Sequence, residues 1–255
     1  MKDNKIYKII GLAVVLIIVI ALTSGYSTNS NSKVDVPFCE NGLIDLSNWD
    51  FNKNGNIKLN GDWEFHPNQL LSPEDFKSKS LSQALYIKVP NRWLSEKTSN
   101  IILDRGIGTY RLRAKINDSV YMYGLKTINI RSSFKIFVNG KEVGKRGNPA
   151  ASLEDGYIAN VIPTVVFFPS EGDTLDIIIQ VANLDYYNGG IIQSIYLGSK
   201  EKILDNHFQA NILETMGISF TLLSSIYYFG IYMKRRQDRR FIYLSIVCIA
   251  YSFIT

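Results

Sequence analysis

Apolar and polar residues alternate with a period of two along Gly106–Ile116, where Tyr110, Leu112, Ala114 and Ile116 are separated by Arg111, Arg113 and Lys115. That period predicts a strand with one buried and one solvated face, the arginines and the lysine lying on the solvated one. Phe134, Ile136 and Val138 repeat the pattern. Asn139-Gly140 comes next, a pair that tolerates the positive φ of a two-residue hairpin, with Lys141–Gly144 as the returning strand. Further strands are predicted at Leu43–Leu46, Gly61–Phe65 with Trp63 and Phe65 inward, Tyr86–Val89 stopped by Pro90, Pro163–Pro169, Leu175–Val181 and Ile191–Leu197. Ser72-Pro73-Glu74-Asp75 reads as the start of a short surface helix, with Ser as N-cap and Pro at the first helical position. Glu171-Gly172-Asp173 is a turn. Two stretches lack any sustained period, Asn148–Ile162 and Asn183–Gly190. Both interrupt strong strands, and long loops of this kind in a compact domain are often functional.

At the two ends the pattern changes. Ile9–Leu22 is apolar apart from Gly11, about 17 residues when counted from Ile6, which is the lower limit for a spanning helix. Its basic start also fits a signal peptide, with Thr23-Ser24-Gly25 as the cleavage site. Cleaved signal and retained anchor both stay open, and either exports the residues C-terminal to it. The Ser/Asn-rich stretch 26–35 reads as a flexible spacer. Ile212–Met233 is long and apolar enough to span a membrane, and Glu214 on its outer turn fits an interfacial position. After the basic loop Lys234–Arg240, the apolar run from Phe241 to Thr255 is short of the roughly 20 residues a span needs. The chain is therefore expected to stop inside a transmembrane helix. The expected division is 1–25 signal or anchor, 26–35 spacer, 36–206 an extracytoplasmic β-sandwich, and 207–255 the start of a multi-helix membrane region with helices at 212–233 and 241–255.

Composition changes this picture in two places. The 255-residue chain carries a net charge of +5, which raises the question of nucleic acid. The charge answers it by location. Between Tyr26 and Asn206 there are 20 Lys/Arg and 20 Asp/Glu, while Lys2, Lys5 and Lys8 and the loop Lys234–Arg240 hold the excess. Basic residues flanking apolar spans obey the positive-inside rule, so the partner is a membrane and not nucleic acid. The two cysteines, Cys39 and Cys248, belong to the exported part and to the last apolar run. They predict no disulfide between them, and Cys39 is a lone thiol that leaves an intermolecular bridge, and with it a homodimer, open.

The order of five motifs then becomes informative: GDWEF (Gly61–Phe65), VPNRW (Val89–Trp93), GTYRL (Gly108–Leu112), FVNGKEVG (Phe137–Gly144) and LDIIIQVAN (Leu175–Asn183). From about Leu59 to Gly198 the chain resembles the jelly-roll, galactose-binding-like domain of family 2 glycoside hydrolases. It also resembles the extracellular domain of bacterial seven-transmembrane receptors with diverse intracellular signalling modules. The resemblance implies an all-β jelly-roll sandwich that senses a ligand outside the cell. It also implies transmembrane helices leading to a cytoplasmic output such as a histidine kinase, a cyclic-nucleotide enzyme or a phosphatase.

No catalytic constellation is readable. The two histidines are His66 and His207, and there is no nucleophile elbow, Walker loop or dinucleotide fingerprint. In the family 2 hydrolases the catalytic carboxylates belong to a separate barrel. The expectation is a binding domain with no reaction, cofactor or metal of its own. Tyr157, Asn160, Asp185, Tyr186, Tyr187 and Asn188 combine aromatic faces for sugar C–H surfaces with directional hydrogen-bonding groups. They are the expected ligand contacts, with a small polar molecule such as a carbohydrate as the ligand. The alternative is that the tyrosines cap the sandwich core. Trp63 and Trp93 fit the core. Rival readings of the whole are a membrane-tethered carbohydrate-binding module without signalling, and a transporter with an exported accessory domain.

Overall fold

The computed structural model describes residues 36–78, 84–93, 105–117 and 120–253. The expected N-terminal signal or anchor and the spacer lie outside these residues. The periodic segment forms β5 (Gly106–Lys115), where Tyr110, Leu112 and Ala114 are all but inaccessible. On one side β5 pairs with β3 (Gly61–Pro67) antiparallel and with β1 (Leu43–Asp45) parallel. On the other it pairs along its whole length with β11 (Thr174–Asn183). β4 (Leu85–Val89) extends the sheet beyond β3, and β8 (Ser133–Val138) and β9 (Lys141–Arg146) extend it beyond β11. Asn139 and Gly140 take φ of 49° and 84°, the left-handed values that the predicted hairpin turn requires.

A second, four-stranded sheet is ordered β10 (Thr164–Pro169), β6 (Met122–Thr127), β13 (Tyr196–Ser199), β2 (Ile57–Lys58). The two sheets share one apolar core. Trp63, Phe65, Tyr110 and Phe134 of the larger sheet belong to one buried cluster with Tyr123, Leu125, Phe168 and Leu197 of the smaller. Strands β1 to β13 thus form a β-sandwich of mainly antiparallel sheets. Trp63 is fully buried and its indole Nε1 donates to the Leu59 carbonyl at 2.9 Å.

The outer face of the larger sheet is less solvated than alternation predicts. Residues 68–78 cross it as a strap ending in the short helix Pro73–Ser78. The Thr109 hydroxyl accepts from Leu71 N and donates to the Gln69 carbonyl, and Gln180 Nε2 donates to the Leu71 carbonyl. The predicted cap is present: Ser72 N donates to the Asp75 carboxylate at 2.8 Å, and Asp75 N donates to Ser72 Oγ. Arg113 and Lys115 are exposed as expected. Arg111 is not simply solvated. It sits under the Phe76 ring at 4.6 Å and is neutralised by Asp176 through bonds of 2.8 and 3.0 Å.

Two of the expected elements depart from the sequence reading. The strand expected at Ile191–Leu197 is split. Gly190–Ile191 (β12) pairs with Ile130–Arg131 (β7) in a separate two-stranded sheet, and only Tyr196–Ser199 joins the smaller main sheet. Buried Ile191, Ile195 and Leu197 made the run look continuous, but the chain changes sheets across Gln193 and Ser194. The helix expected from Ile212 begins twelve residues earlier, at Lys200, and runs to Lys234. Ser199 caps it by accepting from Lys202 N at 3.3 Å. The polar segment after β13 is therefore its first turns, not a linker. Within it Thr215–Lys234 is long and apolar enough to cross a membrane by length and composition. The helix Arg240–Ser252 packs back on it, with the Ser225 and Ser245 hydroxyls 2.9 Å apart.

Candidate ligand-binding rim

Strand directions place the loops. β11 runs from the turn at Glu171–Asp173 up to Asn183, and β10 runs down to that same turn from the end of loop 148–162. Loops 148–162 and 183–190 therefore lie at one end of the sandwich. Ser199 pairs with Tyr123, and Pro169 with Met122, at the opposite end, so the long helix leaves from the far side. The ten residues of β11 separate the two ends by roughly 30 Å.

The loops touch. Leu184 N donates to the Tyr157 hydroxyl at 3.2 Å, and that hydroxyl also shares a short hydrogen bond with Ser132 Oγ. The Tyr157 ring packs in a small apolar cluster with Ala150 and Ala182, flanked by Ile107, Ala159 and Leu184. Burial pushes the Tyr157 phenol above its ordinary pKa, with the hydrogen bonds to Ser132 and Leu184 opposing it. At 6% exposure Tyr157 ties the two loops together and does not present its ring to solvent. Asn160 N donates to the Ser132 carbonyl at 2.8 Å, while its Oδ1 is buried without a hydrogen-bond partner.

The other four expected residues share one loop. Asp185 is exposed, Tyr186 and Tyr187 are 45% and 68% exposed, and Asn188 adopts the left-handed φ of 64° with its Oδ1 buried and unpartnered. Sequence reasoning missed what holds this loop. Asn183 is fully buried, donates from Nδ2 to the Tyr186 carbonyl at 2.7 Å and accepts from Tyr186 N at 3.2 Å. This is the side-chain mimic of a turn for which Asn is suited, and its place at the end of a strand was the available signal. Gly189 lies flat on Trp93, where a Cβ would come within 2.4 Å of the indole ring. Trp93 N donates to the Gly189 carbonyl, and its Nε1 donates to the Tyr110 hydroxyl at 2.7 Å. Arg131 was also missed. Its Nη1 donates to the Tyr187 carbonyl at 3.2 Å, a contact made by the β7–β12 pairing and invisible in local sequence.

The arrangement offers two exposed aromatic rings on a loop fixed from below, with the Arg131 guanidinium beside them. Such a surface suits a polar ligand with C–H faces.

No protein family and no curated protein in the comparisons matches the chain. Solved structures similar to part of it include glycoside hydrolases. A GH2 beta-galacturonidase from Eisenbergiella tayi, bound to galacturonate, is 15% identical over 56% of this chain and 24% of its own, with a TM-score of 0.40. Beta-glucuronidase from Faecalibacterium prausnitzii is 13% identical over 56% of this chain and 31% of its own, with a TM-score of 0.42. Beta-glucuronidase from Ruminococcus gnavus, in complex with D-glucuronic acid, is 13% identical over 56% of this chain and 29% of its own, with a TM-score of 0.40. The chain thus spans between about a quarter and a third of the length of these enzymes.

Proposed function

We propose that the chain is the front part of a bacterial membrane signalling receptor. Its galactose-binding-like jelly roll lies outside the cell, binds a small polar ligand at the rim of loops 148–162 and 183–190, and biases the transmembrane helices. A carbohydrate is the leading ligand class. The N-terminus and Lys234–Arg240 are cytoplasmic in this reading, and 36–206 is outside, in keeping with the distribution of basic residues.

One observation carries the choice of a sensor over a simple tether. β13 passes into the long helix without a linker, and the base of that helix is clamped to the smaller sheet. Ile203 is fully buried there, approached so closely that a Cβ at Gly124 would stand 3.0 Å from it. Asn56 Nδ2 donates to the Lys202 carbonyl at 3.3 Å, and Lys200 stands 5.8 Å from the centre of the Phe167 ring. A tether needs only an anchor, whereas this junction converts a shift of the sheet into a shift of the helix. Ligand acts on the helices only to the extent that it binds one arrangement better than the other.

Two measurements on the whole chain test the reading. Lys145→Cys in intact cells is expected to react with an impermeant thiol reagent and Gln237→Cys to be protected; the reverse pattern refutes the topology. In nanodiscs, a spin-label pair with Tyr227→Cys is expected to change its distance distribution when a sugar panel yields a binder. A binder that leaves that distribution unchanged assigns the chain to tethered carbohydrate binding without signalling.

A further inference from the structure

A guanidinium that joins no ion pair among the described residues stands at the rim. Arg131 is positioned by loop 183–190 through the Tyr187 carbonyl, and its guanidinium carbon lies 5.9 Å from the centre of the Tyr186 ring. Among the described residues it joins no ion pair. Arg111, half-buried on the outer face of the larger sheet, shows the contrast, since Asp176 neutralises it with two hydrogen bonds. The loop that positions Arg131 is itself fixed, by Asn183 from within and by Gly189 on Trp93 from below. Asp185, the one acid of that loop, is exposed and forms no ion pair with Arg131. Arg131 is thus oriented but not neutralised.

A cation held in one orientation without a counter-ion can receive an anion through charge-assisted hydrogen bonds. A guanidinium also presents parallel N–H donors that match the two oxygens of a carboxylate. We propose that the rim's ligand is a sugar acid, its carboxylate received by Arg131 and its ring set against Tyr186 and Tyr187. This rests on the rim-binding reading above and adds the charge of the ligand to it. The uronic acid is either free or part of a glycan chain, and the chemistry at Arg131 is the same for both.

The test is calorimetry on the whole chain in nanodiscs with D-glucuronate, D-galacturonate, the uncharged glucuronamide, glucose and a short oligogalacturonide. The acid is expected to bind about tenfold or more tighter than its amide, as a charge-assisted pair should. That preference is expected to weaken with added salt, to vanish in Arg131→Gln and to return in part in Arg131→Lys, with unchanged melting temperatures. Tighter binding per uronate by the oligomer identifies a polymer as the source. If acid and amide bind equally, or Arg131→Gln keeps the preference, the inference is overturned while the rim reading stands. If no sugar binds but citrate or malonate raises the melting temperature in an Arg131-dependent way, the anion seat stands and the carbohydrate reading falls. If no carboxylate of either kind binds, the inference is overturned.

Discussion

Tyr157→Phe removes a single oxygen from the contact that joins the two rim loops. Ser132 Oγ keeps another partner, since it also lies 3.3 Å from the Ala182 carbonyl. Leu184 N is the group left in difficulty, because the Tyr157 hydroxyl is its acceptor. Leaving a part-buried donor unmade costs about 1–3 kcal/mol, and partial access to water keeps this case near the lower end, about 1–2 kcal/mol. In a domain of this size that lowers the melting temperature by about 2–8 °C. The ring itself remains in the cluster with Ala150 and Ala182, so packing is retained. Near-UV circular dichroism of the chain in detergent reads the melt, and hydrogen exchange reads the loops. Amides of 148–162 and 183–190 are expected to exchange faster together, while those of β5 and β8 stay protected. Tyr157→Ala is expected to cost about 3–5 kcal/mol, because a buried aromatic ring is lost as well. A Tyr157→Phe variant with native melting and native exchange in both loops would show that the phenol does not tie them.

The remaining expectations concern the sandwich. Trp63→Ala is expected to cost about 3–5 kcal/mol in a urea melt, the ring being wholly enclosed; a neutral result places Trp63 at the surface instead. Gly189→Ala is expected to destabilise by about 1–3 kcal/mol and to shift Trp93 fluorescence, because the methyl would meet the enclosed indole; a fully native spectrum argues against the close approach. The hydrogen bond from His66 and, next, the charge of Arg111 hold the Glu64 carboxyl below its ordinary value despite burial. The folded state therefore keeps Glu64 ionised at pH values where the unfolded chain takes up a proton. Its contribution is present above an unfolded value of about 4.3 and is lost as pH falls through the lower folded value. Glu64→Gln is expected to flatten that acid limb of the stability curve. Parallel acid limbs in variant and wild type would remove Glu64 from the account.

What the sequence determined by itself was every element whose signal is local. The two-residue period of β5, the alternation through β8 and Asn139-Gly140 between β8 and β9 each state a strand or a turn within a few residues, because strand pleat and turn φ are local constraints. The same holds for the Ser72 cap and for the apolar length within the long helix. The position of both irregular loops came from the breaks in period, while the strand directions brought them to one rim. Tertiary structure decided where similar-looking residues ended up. Tyr157 and Tyr186 read alike in sequence, yet one is sealed beneath the loops and the other exposed, since burial depends on what packs from elsewhere in the chain. Arg111 and Arg131 are both strand arginines, yet only Arg111 has an acid opposite it, supplied by Asp176 of another strand. The sheet change after Ile191 and the helical course of 200–211 were settled in the same way. An apolar run records that side chains are buried, but not against which sheet. A polar run becomes helix once Ser199 caps it and Ile203 finds a seat on the smaller sheet.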